Sequence, residues 1–175
     1  MMKFTFKSGC QVLLLLLSIS IHQGMADNVG EYELKAAFMY KFAQFTEWSN
    51  SVVDPFFICV VGNDPFDNTL QMLDGKKINH ASIVTQHPTT LENAKNCQVI
   101  FLNPSNSQQL KQWQAGLKTL PILTISENPE AWNFDVMIVL STEPNRISFS
   151  INRSAARNVG MDFRAQLLEL ASILK

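Results

Sequence analysis

Apolar positions along the chain follow two periods, one helical and one typical of strands. Residues 31–48 place apolar side chains on one stripe at a period of 3.6 residues, which predicts an amphipathic helix. Residues 56–61 form an unbroken apolar run of β-branched and aromatic side chains, which predicts a buried strand. The same patterns predict helices at 65–73, 88–95 and 105–117 and strands at 78–85, 97–102 and 121–125.

The helical stripe at 31–48 also contains a charged residue. Its apolar members are Leu34, Ala37, Phe38, Phe42, Phe45 and Trp48. Lys41 falls inside the stripe, where we expect its stem to lie along apolar surface and its ammonium to reach water.

The pattern changes near the C-terminus. Strands are predicted at 134–140 and 146–151, and the five-residue link between them permits only an antiparallel hairpin. Asn152 is placed to cap a helix ending at Gly160, and a last helix is predicted at 162–174. Strands that alternate with helices favour a parallel sheet. The predicted fold is therefore an α/β three-layer sandwich: a mostly parallel sheet with an antiparallel C-terminal hairpin, flanked by helices.

Residues 1–26 have the parts of a secretory signal peptide. Two early lysines precede an apolar stretch at 12–21, and the small residues Gly24 and Ala26 stand at −3 and −1 of the cleavage site. The alternative is an uncleaved N-terminal anchor, but about 10 apolar residues are too few for the ~20 of a membrane helix. We expect residues 27–175 to form one exported, periplasmic domain that does not span the membrane.

Charge narrows the class of partner. The whole chain has a formal net charge of −1. Cleavage would remove Lys3 and Lys7 and leave 12 basic and 15 acidic residues, a net charge of −3. This balance argues against a nucleic-acid-binding protein.

Two of the three cysteines remain in the mature chain. Cys10 precedes the apolar stretch, whereas a lipid-attachment cysteine would follow it, so we expect Cys10 to be discarded. Cys59 and Cys97 would face an oxidising compartment, which favours a disulfide; two buried free thiols are the alternative.

Residues for catalysis are nearly absent. The mature chain has only His80 and His87, whose separation does not match a helical zinc pair. The sequence contains no nucleophile elbow, Walker loop or dinucleotide fingerprint. We therefore predict no catalytic residue, no metal site and no cofactor.

The turn formed by Gly62, Asn63 and Asp64 is a candidate anion site. It joins the carboxyl end of a predicted parallel strand to a predicted helix, whose N-terminus would offer free N–H groups. The alternative is an ordinary strand-to-helix turn, and the Asp64 carboxylate would itself repel an anion.

The arginines are the second candidate for binding. All four lie in one C-terminal stretch, as Arg146, Arg153, Arg157 and Arg164. Arg153 and Arg157 are one helical turn apart and share a face. Such a patch is suited to an acidic partner or ligand; a solvated helix face with local ion pairs is the alternative. Trp48 could equally belong to an interface or to the core.

Several segments together resemble the YfiR family. The helix from Glu31 through Trp48 is similar to the family's opening helix, and Ile58–Phe66 to its first strand and turn. Further matching segments are Asp74–Lys76, Cys97–Phe101, Ile147–Asn152, Ala155–Ala156 with Gly160, and Leu167–Ala171. They follow one another at family spacing over nearly the whole mature chain.

The resemblance implies a periplasmic, non-enzymatic regulator. Such a protein binds the periplasmic part of a membrane-anchored diguanylate cyclase and restrains it, which lowers cyclic-di-GMP signalling and affects biofilm formation. The resemblance also strengthens the Cys59–Cys97 pairing. A periplasmic sensor of an anion or aromatic metabolite is the alternative function, and the sequence leaves homodimerisation open.

Four features depart from the family pattern. Ser49 replaces a proline, Ala131–Asn133 replaces a glycine pair, a second cysteine pair is absent, and Phe163–Ala165 replaces serines. If the hairpin and the last helix form the partner surface, these departures predict a different partner.

Overall fold

A computed structural model describes Met1, residues 30–144 and residues 146–175. Apart from Met1, the predicted signal peptide and Cys10 lie outside the described residues. The helices are α1 (Glu31–Phe45), α2 (Leu91–Ala94), α3 (Ser107–Leu117), α4 (Arg153–Arg157) and α5 (Ala165–Leu168). The strands are β1 (Thr46–Glu47), β2 (Phe56–Gly62), β3 (Lys77–Ile78), β4 (Ala81–Gln86), β5 (Val99–Asn103), β6 (Leu123–Ser126), β7 (Ile138–Glu143), β8 (Arg146–Ile151), β9 (Asp162–Phe163) and β10 (Ile173–Leu174). Short 3₁₀ helices occupy Leu70–Leu73 and Pro129–Phe134.

The sheet confirms the predicted fold class. In the described residues, eight strands form one sheet in the order β10-β8-β7-β6-β5-β2-β4-β3, and β1 pairs separately with β9. Strands β4, β2, β5, β6 and β7 are parallel, whereas β8 runs antiparallel to β7. The five parallel strands have the 2-1-3-4-5 order of one doubly wound class. The sheet is therefore mostly parallel with the expected C-terminal hairpin.

Helices cover both faces of the sheet, because side chains of β2 alternate between two cores. Ile58 and Val60 face a core shared with Phe42 of α1. Cys59 and Val61 face a second core shared with Leu110 of α3. This alternation follows from the period of two along a strand. It produces the three layers that the sequence predicts.

Two predicted helices are wrong. Residues 65–73 form turns and the 3₁₀ helix Leu70–Leu73 instead of an α-helix. The predicted last helix at 162–174 is divided into β9, α5 and β10. The break near the C-terminus has a tertiary cause, because the Ser172 amide donates to the Phe149 carbonyl and the Lys175 amide donates to the Ile151 carbonyl, at 2.8 and 2.9 Å.

Helix α1 is shorter and differently oriented than its apolar stripe suggests. It ends at Phe45, and Thr46 begins the short strand β1. Leu34 and Ala37 are exposed, as is Lys41. The buried face instead consists of Lys35, Ala36, Met39, Phe42 and Ala43. The helix therefore buries a charged residue that the stripe did not contain.

The other boundaries shift by a few residues. The helices predicted at 88–95 and 105–117 are present as the shorter α2 and α3. The predicted strand at 78–85 becomes the antiparallel pair β3–β4. The strand predicted from Phe134 begins only at Ile138, since Phe134 ends a 3₁₀ helix. Asn152 caps α4 as expected, since its Oδ1 accepts a hydrogen bond from the Ala155 amide at 3.0 Å.

Candidate functional site

An open cleft lies at the carboxyl ends of β2, β4 and β5. Its volume is about 450 Å³. Its lining includes Gly62, His87, Pro104, Gln109 and Trp113. Strand β2 has β4 on one side and β5 on the other, so the chain order reverses at this point. Doubly wound sheets bind ligands at such a switch point.

The Gly62 turn forms one wall of this cleft. Gly62 has φ +91°, and a Cβ added there would lie 2.3 Å from the Asn103 carbonyl oxygen. The Asn63 amide donates to that same oxygen at 2.9 Å, and Asn103 Nδ2 donates back to the Asn63 carbonyl at 3.0 Å. The ends of β2 and β5 are therefore held together, and a ligand would lie beside them rather than between them.

The turn lacks the helix on which its predicted anion affinity depended. Turns follow Asp64, and its Oδ1 accepts a hydrogen bond from the Phe66 amide at 2.8 Å. Its Oδ2 lies 2.7 Å from His87 Nε2. The cleft is thus lined by the His87 imidazole, which pairs with the Asp64 carboxylate, instead of by the free N–H groups of a helix N-terminus. This arrangement is suited to a ligand with a hydrogen-bond donor.

Arg153 and Arg157 share one carboxylate, in agreement with their predicted common face. Arg153 donates to Asp162 from Nε at 2.6 Å and from Nη2 at 2.9 Å. Arg157 Nε adds a hydrogen bond to Asp162 Oδ2 at 3.1 Å. Hydrogen bonds from Arg153 hold the pKa of Asp162 far below its ordinary value. Burial raises this pKa, but its effect is smaller. The Arg153–Arg157–Asp162 cluster therefore retains one net positive charge.

The other two arginines do not share this carboxylate. Arg146 is the first residue of β8, whereas Arg153 comes after the last residue of that strand. Arg146 donates from Nε to Glu143 at 2.7 Å. Arg164 follows β9, and its amide donates to the Phe45 carbonyl at 2.9 Å.

Trp48 packs largely with the core. Its indole Nε1 donates to the Ala43 carbonyl at 3.2 Å, and its ring meets Phe56 edge to face with 5.3 Å between centroids. The remaining half-buried surface lines a shallow cleft with the exposed Val53 and with Pro121. Trp48 therefore has a core role, with one edge available to a partner.

Lys35 is a charged residue in the core that sequence reasoning missed. Its ammonium lies 2.5 Å from Glu31 and also contacts Glu127, and it sits 4.4 Å from the centroid of the Tyr32 ring. Burial alone lowers the pKa of Lys35, but its hydrogen bonds to the two carboxylates outweigh burial and raise it. Thr142 also donates to Glu31, at 2.9 Å. The Glu31–Lys35 spacing was visible in the sequence, whereas the contact with Glu127 was not.

Cys59 and Cys97 form a disulfide in the structure, with 6.1 Å between their Cα atoms. Both residues are buried in the second core. The bond joins the middle of β2 to the segment before β5, and it closes a loop with a sequence separation of 38.

Among residues 30–144 and 146–175, no group of three or more His, Cys, Asp or Glu side chains is arranged to hold a metal ion. No helix among residues 30–144 and 146–175 is long and apolar enough to cross a membrane.

Comparison with known proteins identifies one family. The family model described as YfiR/HmsC-like matches residues 32–172. The matched span includes all of α1 but its first residue, the disulfide, the switch-point cleft and the Arg153–Arg157–Asp162 cluster. No curated protein matches the chain.

Proposed function

Because the chain belongs to the YfiR/HmsC-like family, we propose that it is a periplasmic, non-enzymatic regulator that binds a membrane-anchored diguanylate cyclase and holds it inactive. The observation that carries the proposal is the extent of the match, which covers nearly all the described residues. The consequence would be less cyclic-di-GMP in the cell.

The predicted export signal supports a mechanism through a partner. A domain at 27–175 that is exported by residues 1–26 is separated by the membrane from cytoplasmic nucleotides. Its effect on cyclic-di-GMP would therefore pass through the periplasmic part of the cyclase. The disulfide fits the oxidising compartment that this location implies.

The predicted docking residues now form separate candidates. Arg153 and Arg157 form the first, Arg146 the second, Arg164 the third and Trp48 the fourth. Within the first candidate, Arg157 is more available than Arg153 for contact with a further carboxylate, because its side chain is 57% exposed against 31% for Arg153. A homodimer would present each candidate twice.

The test is direct binding. The purified mature domain is titrated with the isolated periplasmic portions of the host's own membrane cyclases by calorimetry, and cyclic-di-GMP is measured after deletion of the gene. We expect one cyclase to bind and cyclic-di-GMP to rise. Absence of binding to every cyclase, together with unchanged cyclic-di-GMP, contradicts the proposal.

The switch-point cleft supports a second candidate function, small-molecule sensing. His87, which lines the cleft and pairs with Asp64, could accept a hydrogen bond from a ligand, while the half-buried Trp113 could contact an aromatic or apolar portion of it. Thermal-shift screening of metabolites tests this function. A ligand whose stabilising effect disappears in His87→Ala supports it, and a screen with no stabilising metabolite argues against it.

A further inference from the structure

Of the twelve lysines and arginines in the described part of the chain, six have no carboxylate oxygen of another described residue within 4.0 Å. Four of these six cations are exposed and belong to segments that contact Tyr40 or its neighbour Gln44: Lys41, Lys76, Lys77 and Arg164. The other two, Lys111 and Lys118, belong to α3 and its C-terminus. The positive charge that the fold leaves unpaired is therefore concentrated on one surface.

Tyr40 lies at the centre of this surface. The ammonium groups of Lys41 and Lys76 lie 5.8 and 5.7 Å from the centroid of its ring. Its hydroxyl donates to the Lys77 carbonyl at 3.2 Å. One aromatic ring thus holds α1 against the β3–β4 hairpin and brings lysines from both elements together.

Gln44 connects the lysines to Arg164. Its Nε2 donates to the Tyr40 hydroxyl at 2.9 Å, and its Oε1 accepts from Lys41 at 3.2 Å. Gln44 also lines a cleft of about 250 Å³ with Phe45, Asn79 and Arg164. We call this set the Tyr40 surface; it consists of Tyr40, Lys41, Gln44, Lys76, Lys77, Asn79 and Arg164.

We propose that the Tyr40 surface binds an acidic segment of the membrane signalling partner, with one carboxylate beside Arg164 in the cleft and others beside the lysines around Tyr40. Mutually repelling cations without internal partners are complementary to such a segment. The Arg164 guanidinium can bind a carboxylate through two parallel hydrogen bonds. This inference rests on the proposed function for the identity of the partner.

The shape of the surface favours a protein segment over an anionic membrane. Its cleft is concave and can receive a side chain, whereas a bilayer presents a broad face. Membrane-surface binding combines cations with apolar side chains that enter the lipid. The large exposed apolar side chains of the described chain, such as Met72 and Leu170, are not members of the Tyr40 surface.

The first experiment uses a fluorescent poly-glutamate peptide and two charge-matched variants. Lys41→Glu with Lys76→Glu reverses two charges on the Tyr40 surface. Lys111→Glu with Lys118→Glu reverses two exposed, unpaired charges elsewhere and gives the same net charge. We expect fluorescence anisotropy to show about tenfold weaker binding for the first variant and nearly unchanged binding for the second. Binding by the unaltered protein should also weaken with added salt.

Equal losses in the two variants would show a response to net charge alone and would overturn the inference, as would no loss in either. Circular dichroism checks that each variant is folded. If the Lys41→Glu, Lys76→Glu variant does not fold, Lys41→Gln with Lys76→Gln replaces it, and an intermediate loss of peptide binding is expected. Unchanged binding in that folded variant counts against the Tyr40 surface.

The second experiment separates this inference from the proposed function. The same variants are titrated with the cyclase portion that binds the unaltered protein. If the Lys41→Glu, Lys76→Glu variant binds it normally, the Tyr40 surface is not the docking site, and the proposed function survives. If no cyclase portion binds the unaltered protein and deletion leaves cyclic-di-GMP unchanged, the proposed function fails and the peptide titration alone decides the chemistry of the surface. Vesicles of phosphatidylglycerol and phosphatidylcholine form the last arm, and surface-dependent binding to them without peptide binding would overturn the proposal.

Discussion

Arg153 donates two hydrogen bonds to the carboxylate of Asp162, from Nε at 2.6 Å and from Nη2 at 2.9 Å. This pair joins α4 to β9, and β9 in turn pairs with β1 after the first helix. Asp162 also holds its own strand, because its Oδ1 accepts from the Phe163 amide at 2.9 Å. One carboxylate therefore fixes α4 against β9, and the pairing of β9 with β1 links both to the end of the first helix.

We predict that Asp162→Asn lowers the free energy of unfolding by about 1–2 kcal/mol, because charge-assisted hydrogen bonds are lost at a site that is partly exposed to water. Urea denaturation measures the change. Glu143→Gln is the matched control, since it removes the same charge from the more exposed pair with Arg146. The control should cost less than half as much, and equal losses would contradict the assigned importance of Asp162.

Stability should depend on pH through the same carboxylate. Its pKa is lowered in the folded state, so the folded protein binds fewer protons than the unfolded chain. The stabilisation is present above the unfolded-state pKa of about 4 and is lost as pH falls toward the lower folded value. Denaturation curves at a series of acidic pH values should show the unaltered protein and Asp162→Asn converging. A constant difference between them down to the lowest pH would refute this expectation.

Lys35→Met should destabilise the fold although methionine suits a buried position. The substitution leaves the Glu31 and Glu127 carboxylates close together without their cation, at a cost of about 2–4 kcal/mol. Adding Glu127→Gln to Lys35→Met should recover part of that loss. A double-mutant cycle in urea measures the coupling, and additive effects would show that the Lys35–Glu127 contact is not energetically important.

The disulfide should contribute about 3–4 kcal/mol in the chain-entropy model for a loop of this length. Substitution of Cys59 and Cys97 by alanine is expected to lower the free energy of unfolding by up to that amount. Thiol titration of the mature protein in denaturant, without reductant, should find no free thiol. Two free thiols would show that the bridge does not form.

Gly62→Ala should be more destabilising than Gly75→Ala. Both glycines have positive φ, +91° and +77°, so both substitutions carry a backbone cost of about 1–2 kcal/mol. Only at Gly62 would the new methyl group meet backbone, at 2.3 Å from the Asn103 oxygen, and we expect a total near 3 kcal/mol or more. Thermal or urea unfolding compares the two, and equal losses would contradict the close approach of β2 and β5.

The elements that could be predicted from the sequence are those whose pattern lies within one continuous segment. The buried strand at Phe56–Gly62 and the helix at Ser107–Leu117 were recognisable because each is a continuous pattern. The predicted helix at 65–73 was wrong although its local signal was real, because Asp64 does accept from the Phe66 amide. The chain then turns, and Phe66 and Leu70 are buried without an α-helix between them.

The candidate sites were less predictable because distant residues complete them. His87 reaches Asp64 from the end of β4, and Glu127 reaches Lys35 from the end of β6. Neither contact leaves a periodic signal. The four arginines were recognised as a group by their proximity in the sequence, but the sequence did not show that Arg153 and Arg157 share Asp162 while Arg146 pairs with Glu143. Tyr40 and Gln44 could not be identified from the sequence, because the pattern of α1 does not show that they meet residues 77 and 164.

Both sulfur atoms of the disulfide lie in the second core, where Cys59 is fully buried and Cys97 is 2% exposed. A small reducing agent therefore reacts only when β2 and the start of β5 separate transiently. The rate of reduction under native conditions counts those openings, and its dependence on reductant concentration gives the fraction of time spent open. Reduction of the buried disulfide therefore measures how often the α3 side of the sheet opens to solvent.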